Sequence, residues 1–128
     1  MPETHTSPFE IVKWEQTLID EMEGGPALGR AEVHKIYRGD LSGTAVAGLV
    51  LCGESSYSGV ERVTGTLGGR TGTFVLAHGA TTGYGPEAFS PGVVVPGSGT
   101  GELTGLSGTV EFRHDNDGPS ITMHYDLA

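Results

Sequence analysis

A glutamate and a histidine near the middle of the sequence, Glu61 and His78, are the residues best placed to do chemistry. They lie on either side of Gly68-Gly69, a dipeptide that favours a two-residue hairpin turn because both turn positions need positive φ. Pairing across this turn puts Glu61 opposite Leu76 and diagonally from His78, on one face of the hairpin. Diagonal neighbours are about 7–8 Å apart at Cα, within reach of one another or of a shared ligand. We therefore interpret Glu61 and His78 as candidate catalytic residues.

The predicted hairpin, residues 57–67 and 70–80, carries the large apolar side chains on the same face as Glu61 and His78. Buried titratable groups are costly unless they are paired, so this face holds either a self-satisfied pair or a functional site. Their neighbours Gly59 and Ala80 are small, which predicts open space beside them. On that basis Glu61→Gln and His78→Asn are expected to change the melting temperature by only a few degrees.

The whole chain reads as about eight short strands with turns at regular spacing, in a sequence with 22 glycines. We predict an all-β fold, an eight-stranded antiparallel β-barrel of residues 9–128, preceded by a flexible tail of residues 1–8. Closure removes exposed strand edges, and an eight-stranded barrel is just wide enough for side chains or one small ligand. The pattern does not decide which face of residues 28–38 or of residues 41–53 points inward.

Two glycine-containing segments have less regular patterns. Residues 80–90 are predicted to form a loop long enough to have a function. Between positions 97 and 102 a glycine occupies every second position, which predicts a strand with one bare face, open to a ligand or to a closely packed backbone. Glu102 and several aromatic or large apolar residues are candidate ligand-binding residues: Trp14, Tyr57, Phe74, Leu76, Phe112 and Tyr125.

Composition excludes several classes of function. Seven Lys and Arg against sixteen Asp and Glu give a formal charge of −9, which argues against nucleic-acid binding. The chain has a single cysteine, Cys52, which excludes an intrachain disulfide framework. We interpret it as a buried structural thiol, although the sequence does not define its role. No zinc or cupin-like ligand pattern occurs, so we predict neither metal nor cofactor.

The sequence also gives expectations for location and partners. No signal peptide and no apolar run of membrane-spanning length is present, so a soluble, cytoplasmic protein with no membrane partner is expected. The expected partner is a small hydrophobic substrate or ligand. A homodimer through the threonine-rich outer face of the central hairpin is a further expectation.

Four blocks of the sequence resemble the DUF3224 family of small bacterial proteins: residues 37–43, 58–80, 94–108 and 124–127. The blocks ERVTGTLGGRTGTFVL and VPGSGTGEL are the specific ones, and the likeness extends over residues 9–127. The resemblance implies a barrel similar to allene oxide cyclase, or lipocalin-like in shape. It attaches no activity, and no site residue is carried over from it.

Two functions follow as hypotheses. The first is a cofactor-independent isomerase or cyclase, of the kind found in secondary metabolism, that folds a mostly apolar substrate inside the barrel. Glu61 and His78 would then be its acid-base or polarising groups. The alternative is a non-catalytic, lipocalin-like protein that binds a hydrophobic metabolite.

Overall fold

The chain forms one antiparallel sheet that closes on itself. The computed structural model describes residues 2–83 and 90–127, with the backbone alone at position 115. Each strand pairs with the next, and the last pairs with the first, which confirms the predicted eight-stranded antiparallel barrel. The strands are β1 (Glu3–Asp20), β2 (Leu28–Tyr37), β3 (Leu41–Cys52), β4 (Ser56–Leu67), β5 (Arg70–Thr81), β6 (Gly92–Val94), β7 (Ser107–Asp115) and β8 (Gly118–Asp126).

Helical structure among the described residues is limited to a 3-10 turn at Gly101–Leu103. No helix in this part of the chain is long and apolar enough to cross a membrane.

The first strand closes the barrel by pairing with two different strands along its length. Residues 3–8 pair with β8, and residues 9–20 pair with β2. The prediction of a flexible tail is therefore corrected from Glu3 onward. Ser7 is buried there, and its hydroxyl accepts a hydrogen bond from the backbone N–H of Leu41. Pro8 obscures the strand in the sequence, but it lies at the last pair with β8, where a missing ladder donor is tolerated.

The central hairpin has the register predicted from its glycine turn. Gly68 and Gly69 have φ angles of 56° and 86°, and Glu61 pairs with Leu76 across them. Because side chains alternate between the two faces, this register fixes which residues of β4 and β5 enter the barrel. The predicted inner set is buried: Glu61, Val63, Phe74, Leu76 and His78.

The interior contains two apolar clusters. The larger one includes Tyr37, Leu41, Leu67, Phe74, Leu103, Leu106 and Phe112. The smaller one consists of Ala31, Val33, Ala47, Leu49 and Leu51, with Tyr57 packed against it. The inward face left open by the sequence is thus the Val33, Lys35, Tyr37 face of β2 and the Ala45 to Leu51 face of β3.

Residues 95–104 form a strap along β5 instead of a strand with a bare face. The backbone N–H of Thr100 donates to the carbonyl of Thr73, and the Ser98 hydroxyl accepts from the N–H of Val75. A Cβ at Gly72 would lie 2.0 Å from the carbonyl oxygen of Thr100. Among the alternating glycines of the strap itself, a Cβ at Gly99 would lie 1.9 Å from the carbonyl oxygen of Leu103, so this glycine is needed for close backbone packing, whereas a Cβ at Gly97 would meet nothing within 4 Å.

Candidate functional site

The centre of the candidate site is the carboxylate of Glu61, whose residue is 0% exposed. Its Oε1 accepts hydrogen bonds from Nζ of Lys35 and from Nε2 of His78, each at 2.8 Å. Its Oε2 accepts a hydrogen bond from the hydroxyl of Tyr37 at 2.5 Å. A buried carboxylate needs donors of this kind because an unpaired charge is very costly inside a protein. We call these four residues the Glu61 cluster.

The strand order explains how the cluster forms. Lys35 lies on β2 and Glu61 on β4, so the strand between them, β3, separates their backbones by about 10 Å, twice the spacing of neighbouring strands. The β3 residues paired with Lys35 and Glu61 are Ala45 and Ala47. Their side chains are short, so the long side chains of Lys35 and Glu61 can meet above them. Small residues on β3 thus make room for the ion pair.

The ammonium group of Lys35 is enclosed by aromatic rings as well as by Glu61. Lys35 is 6% exposed, and its Nζ lies 4.7 Å from the ring centre of Phe9 and 4.5 Å from that of Phe112. Both distances are within the range of a cation–π interaction. The cluster therefore contains one buried cation and one buried anion, whose charges balance.

The pKa of Glu61 reflects its donors more than its burial. Burial by itself raises the pKa, but the hydrogen bond from His78 and the charge of Lys35 outweigh it and lower the pKa to about 2. Burial, together with the nearby charge of Glu61, raises the pKa of Tyr37 well above its ordinary value. At neutral pH Glu61 is thus ionised and a poor proton acceptor, while Tyr37 remains a neutral donor.

The ionised carboxylate determines which nitrogen of His78 carries a proton. A carboxylate only accepts hydrogen bonds, so Nε2 must carry the proton that it donates to Glu61. In the neutral ring Nδ1 therefore has a free lone pair. The side chain is 1% exposed, and Nδ1 has no hydrogen-bond partner among the described residues. A buried polar atom left unpaired in this way is uncommon and calls for an explanation such as a ligand.

Two aromatic rings enclose the imidazole. The ring centre of Phe112 is 4.3 Å from that of His78, and the ring of Tyr57 meets it edge-on at 5.8 Å. Burial, followed by the charge of Glu61, raises the pKa of Tyr57, so its hydroxyl is neutral.

His78 and Tyr57 line a depression of about 680 Å³. Its other lining residues are mostly small, such as Gly59, Ala77, Gly79, Ala80 and Gly92. It lies where β4 begins and β5 ends, beside the loop predicted for residues 80–90. Of that loop, residues 84–89 lie outside the described part of the chain.

The structure brings some of the predicted ligand-binding residues together around His78 and leaves others apart. Tyr57 and Phe112 contact the imidazole, while Phe74 and Leu76 are buried in the larger apolar cluster. Trp14 is 47% exposed, and its Nε1 donates to the side-chain oxygen of Gln16.

Glu102 and Tyr125, two of the candidate ligand-binding residues, lie away from the Glu61 cluster. Glu102 is exposed and accepts a hydrogen bond from the backbone N–H of Thr71, seven residues before His78. At about 3.3 Å per residue that is roughly 23 Å along β5. Tyr125 lies at the same end, beside Gly68.

Sequence reasoning missed Lys35 and Tyr37, the two donors from β2. The signal was a lysine alternating with apolar residues, at positions 33, 35 and 37, on a strand that could face either way. Among the described residues, no group of three or more His, Cys, Asp or Glu side chains is arranged to hold a metal ion.

Comparison with known proteins gives a family and a fold without an activity. No match to the chain is found among curated proteins. One similar solved structure is a crystal structure of a protein of unknown function from the DUF3224 family of Shewanella oneidensis MR-1. It has 27% sequence identity, a TM-score of 0.81, and an alignment over 100% of this chain and 99% of that one. The family model described as "Protein of unknown function (DUF3224)" matches residues 5–127, so the chain belongs to the DUF3224 family.

Proposed function

We propose that this barrel binds a small, uncharged, mostly apolar molecule that donates a hydrogen bond to Nδ1 of His78. The observation that carries the proposal is the buried lone pair of Nδ1, which no described residue satisfies. A ligand O–H or N–H would supply the missing donor. Leaving such an atom unpaired costs about 1–3 kcal/mol, so a ligand that pairs with it gains affinity and orientation.

The charges of the Glu61 cluster support an uncharged ligand. Lys35 and Glu61 form an ion pair at 2.8 Å, and both are buried, so the cluster offers no spare charge to a ligand. A charged ligand would enter this apolar interior without a counter-ion, and burying an unpaired charge is strongly unfavourable.

The surroundings support an apolar ligand of modest size. Phe112 and Tyr57 present aromatic surface beside His78. An open depression of about 680 Å³ adjoins them.

A fluorescent probe tests this proposal before any natural ligand is known. N-phenylnaphthylamine is apolar and uncharged and has one N–H donor, whereas anilinonaphthalene sulfonate has the same aromatic skeleton with a negative charge. We expect the first to bind and the second to bind more weakly. His78→Phe should weaken binding of the uncharged probe by about twofold to tenfold, the equivalent of one net hydrogen bond.

The matched control is Tyr37→Phe, which also removes one donor from Glu61 but leaves Nδ1 in place. This variant should bind the uncharged probe as the wild type does. Equal affinity of the wild type and His78→Phe would contradict the proposal.

A second candidate function is cofactor-independent isomerisation or cyclisation of the bound molecule. The observation that favours it is the Glu61–His78 hydrogen bond, because a carboxylate that fixes the tautomer of a histidine is a common way to position a general base. In the isomerisation, a C–H bond beside a carbonyl group breaks, Nδ1 takes the proton, and the proton returns to another carbon. Glu61 would then be a positioning residue, since its pKa of about 2 makes it a weak base.

Deuterium exchange separates binding from catalysis. The molecule that co-purifies with the protein is identified by mass spectrometry and incubated with the protein in D2O. Incorporation of deuterium at carbon with the wild type, and its loss with His78→Phe, supports catalysis. Binding of the molecule without deuterium incorporation would support a binding function and contradict the isomerisation.

A further inference from the structure

The second half of β1 has one free edge. Residues 9–20 pair with β2, whereas β8 pairs only with residues 3–8. Within residues 2–83 and 90–127, no strand pairs with the other edge of residues 10–20. Such an edge presents backbone N–H and C=O groups to which a further strand can bind.

The side chains along this edge are unusually apolar for a strand that faces water. Trp14 is 47% exposed and Leu18 is 62% exposed. Their exposed apolar neighbours on the same strand are Ile11, Val12 and Ile19. Several exposed apolar side chains on one strand are typical of an interaction site, and a long apolar edge strand is otherwise prone to aggregate.

The charged residues on this edge are complementary to a second copy of the same strand. Suppose that two copies of the strand pair antiparallel about a two-fold axis normal to the sheet. Residues that lie opposite each other must then point to the same face, so they are an even number of positions apart. The axis therefore passes between two copies of the same residue. An axis at Lys13 or at Glu15 would put like charges opposite each other, which is destabilising. An axis at Gln16 would leave Lys13 opposite Ile19.

An axis at Trp14 gives complementary charges. Lys13 then lies opposite Glu15 of the partner subunit, and the same pair forms a second time by symmetry. The two tryptophans lie opposite each other between these pairs. Lys13 and Glu15 already form an ion pair within one strand, at 3.1 Å, so both side chains lie on the same face of β1.

We propose that the protein forms a two-fold dimer in which the β1 strands pair antiparallel about Trp14, extending the sheet from one barrel into the next. Register irregularities between Ile11 and Lys13 and between Leu18 and Asp20 confine the regular part of the strand to residues 13–18. The contact is therefore short. It differs from the outer face of the central hairpin, which the sequence suggested for a dimer.

Cysteine cross-linking tests the register directly. Trp14→Cys in a Cys52→Ser background places two cysteines opposite each other across the axis, about 4.5–5.5 Å apart at Cα, a separation that a disulfide can bridge. Thr17→Cys in the same background is the control, because its two copies would be about 20 Å apart along the strands. Mild oxidation should give a covalent dimer with the first variant and monomer with the second. Equal cross-linking of both, or of neither, overturns the proposal.

Charge exchange provides a second test that does not depend on oxidation. We expect sedimentation velocity to show a dimer for the wild type and a shift to monomer for Lys13→Glu, which places two glutamates opposite each other. The double variant Lys13→Glu, Glu15→Lys restores opposite charges and should restore the dimer. A wild type that stays monomeric over the whole concentration range, or a Lys13→Glu variant that dimerises like the wild type, contradicts the inference.

Discussion

Replacing Glu61 by glutamine should destabilise the barrel strongly. The substitution preserves the shape of the side chain but removes the charge that balances Lys35, which is 6% exposed. Breaking a buried ion pair by removing one partner costs about 3–5 kcal/mol, because the other charge is left without a partner. From the sequence alone only a small change is expected, and the contact with Lys35 reverses that expectation.

The pKa of Glu61 gives a second estimate of the same quantity. The pKa falls from its usual 4.5 to about 2 in the folded protein. At about 1.4 kcal/mol per pH unit, the ionised Glu61 contributes roughly 3 kcal/mol to the free energy of unfolding. Since the folded pKa is the lower one, this contribution is complete above pH 4.5 and is lost as the pH falls towards 2. The two estimates agree in size.

Urea unfolding followed by circular dichroism, repeated from neutral pH down to about 2, measures this contribution. At neutral pH we expect Glu61→Gln to lower the free energy of unfolding by about 3–5 kcal/mol, or the melting temperature by roughly 10–20 °C. The difference in free energy of unfolding between wild type and variant should shrink by about 3 kcal/mol as the pH falls from 4.5 towards 2. The reason is that protonation of Glu61 removes from the wild type the same charge that the substitution removes from the variant.

Two controls make this prediction specific. Glu10→Gln removes the same charge from an exposed ion pair with Arg38 and should cost less than about 1 kcal/mol. The double variant Lys35→Met, Glu61→Gln removes both buried charges and should be less destabilised than Glu61→Gln alone. A Glu61→Gln variant within about 1 kcal/mol of the wild type at every pH would refute the reasoning.

Three further variants test other parts of the structure. Gly68→Val should cost about 1–3 kcal/mol, because a β-branched residue fits poorly at φ 56°, and a neutral result would mean a different turn. Gly72→Ala should lower the melting temperature, because its Cβ would lie 2.0 Å from the carbonyl oxygen of Thr100 in the strap. Gly48→Ala is the control and should leave the melting temperature unchanged, because its Cβ would have nothing within 4 Å. Equal melting temperatures of the two variants would contradict the packing of the strap on β5. Tyr37→Phe should lower the free energy of unfolding in urea by about 1.5–3 kcal/mol, which is the contribution of a hydrogen bond to a charged group. An unchanged free energy of unfolding would mean that the hydrogen bond from Tyr37 to Glu61 adds no stability.

The sequence predicts the central hairpin well because the turn alone sets its register. Gly68 and Gly69 fix the pairing, and strict alternation then determines that Glu61 and His78 face the interior together. The proximity of these two residues is thus a local consequence of one turn.

Other parts of the site depend on long-range pairing, which the sequence does not encode locally. Lys35 and Tyr37 enter the barrel because β2 pairs with β3 in a particular register, and alternation on β2 fits either face. Glu102 lies in the strap of residues 95–104, which packs along β5 near Thr71, so it is far from His78. The free edge of β1 arises because β8 begins only at Gly118.

The most direct test of the proposed site is the protonation state of His78. In long-range proton–nitrogen correlation spectra of protein with labelled histidine, the signal lost in His78→Phe identifies this residue. We predict a proton on Nε2 and none on Nδ1, whose nitrogen signal shifts when N-phenylnaphthylamine is added. A proton on Nδ1, or an Nδ1 signal unchanged at saturating probe, would contradict a ligand hydrogen bond to His78.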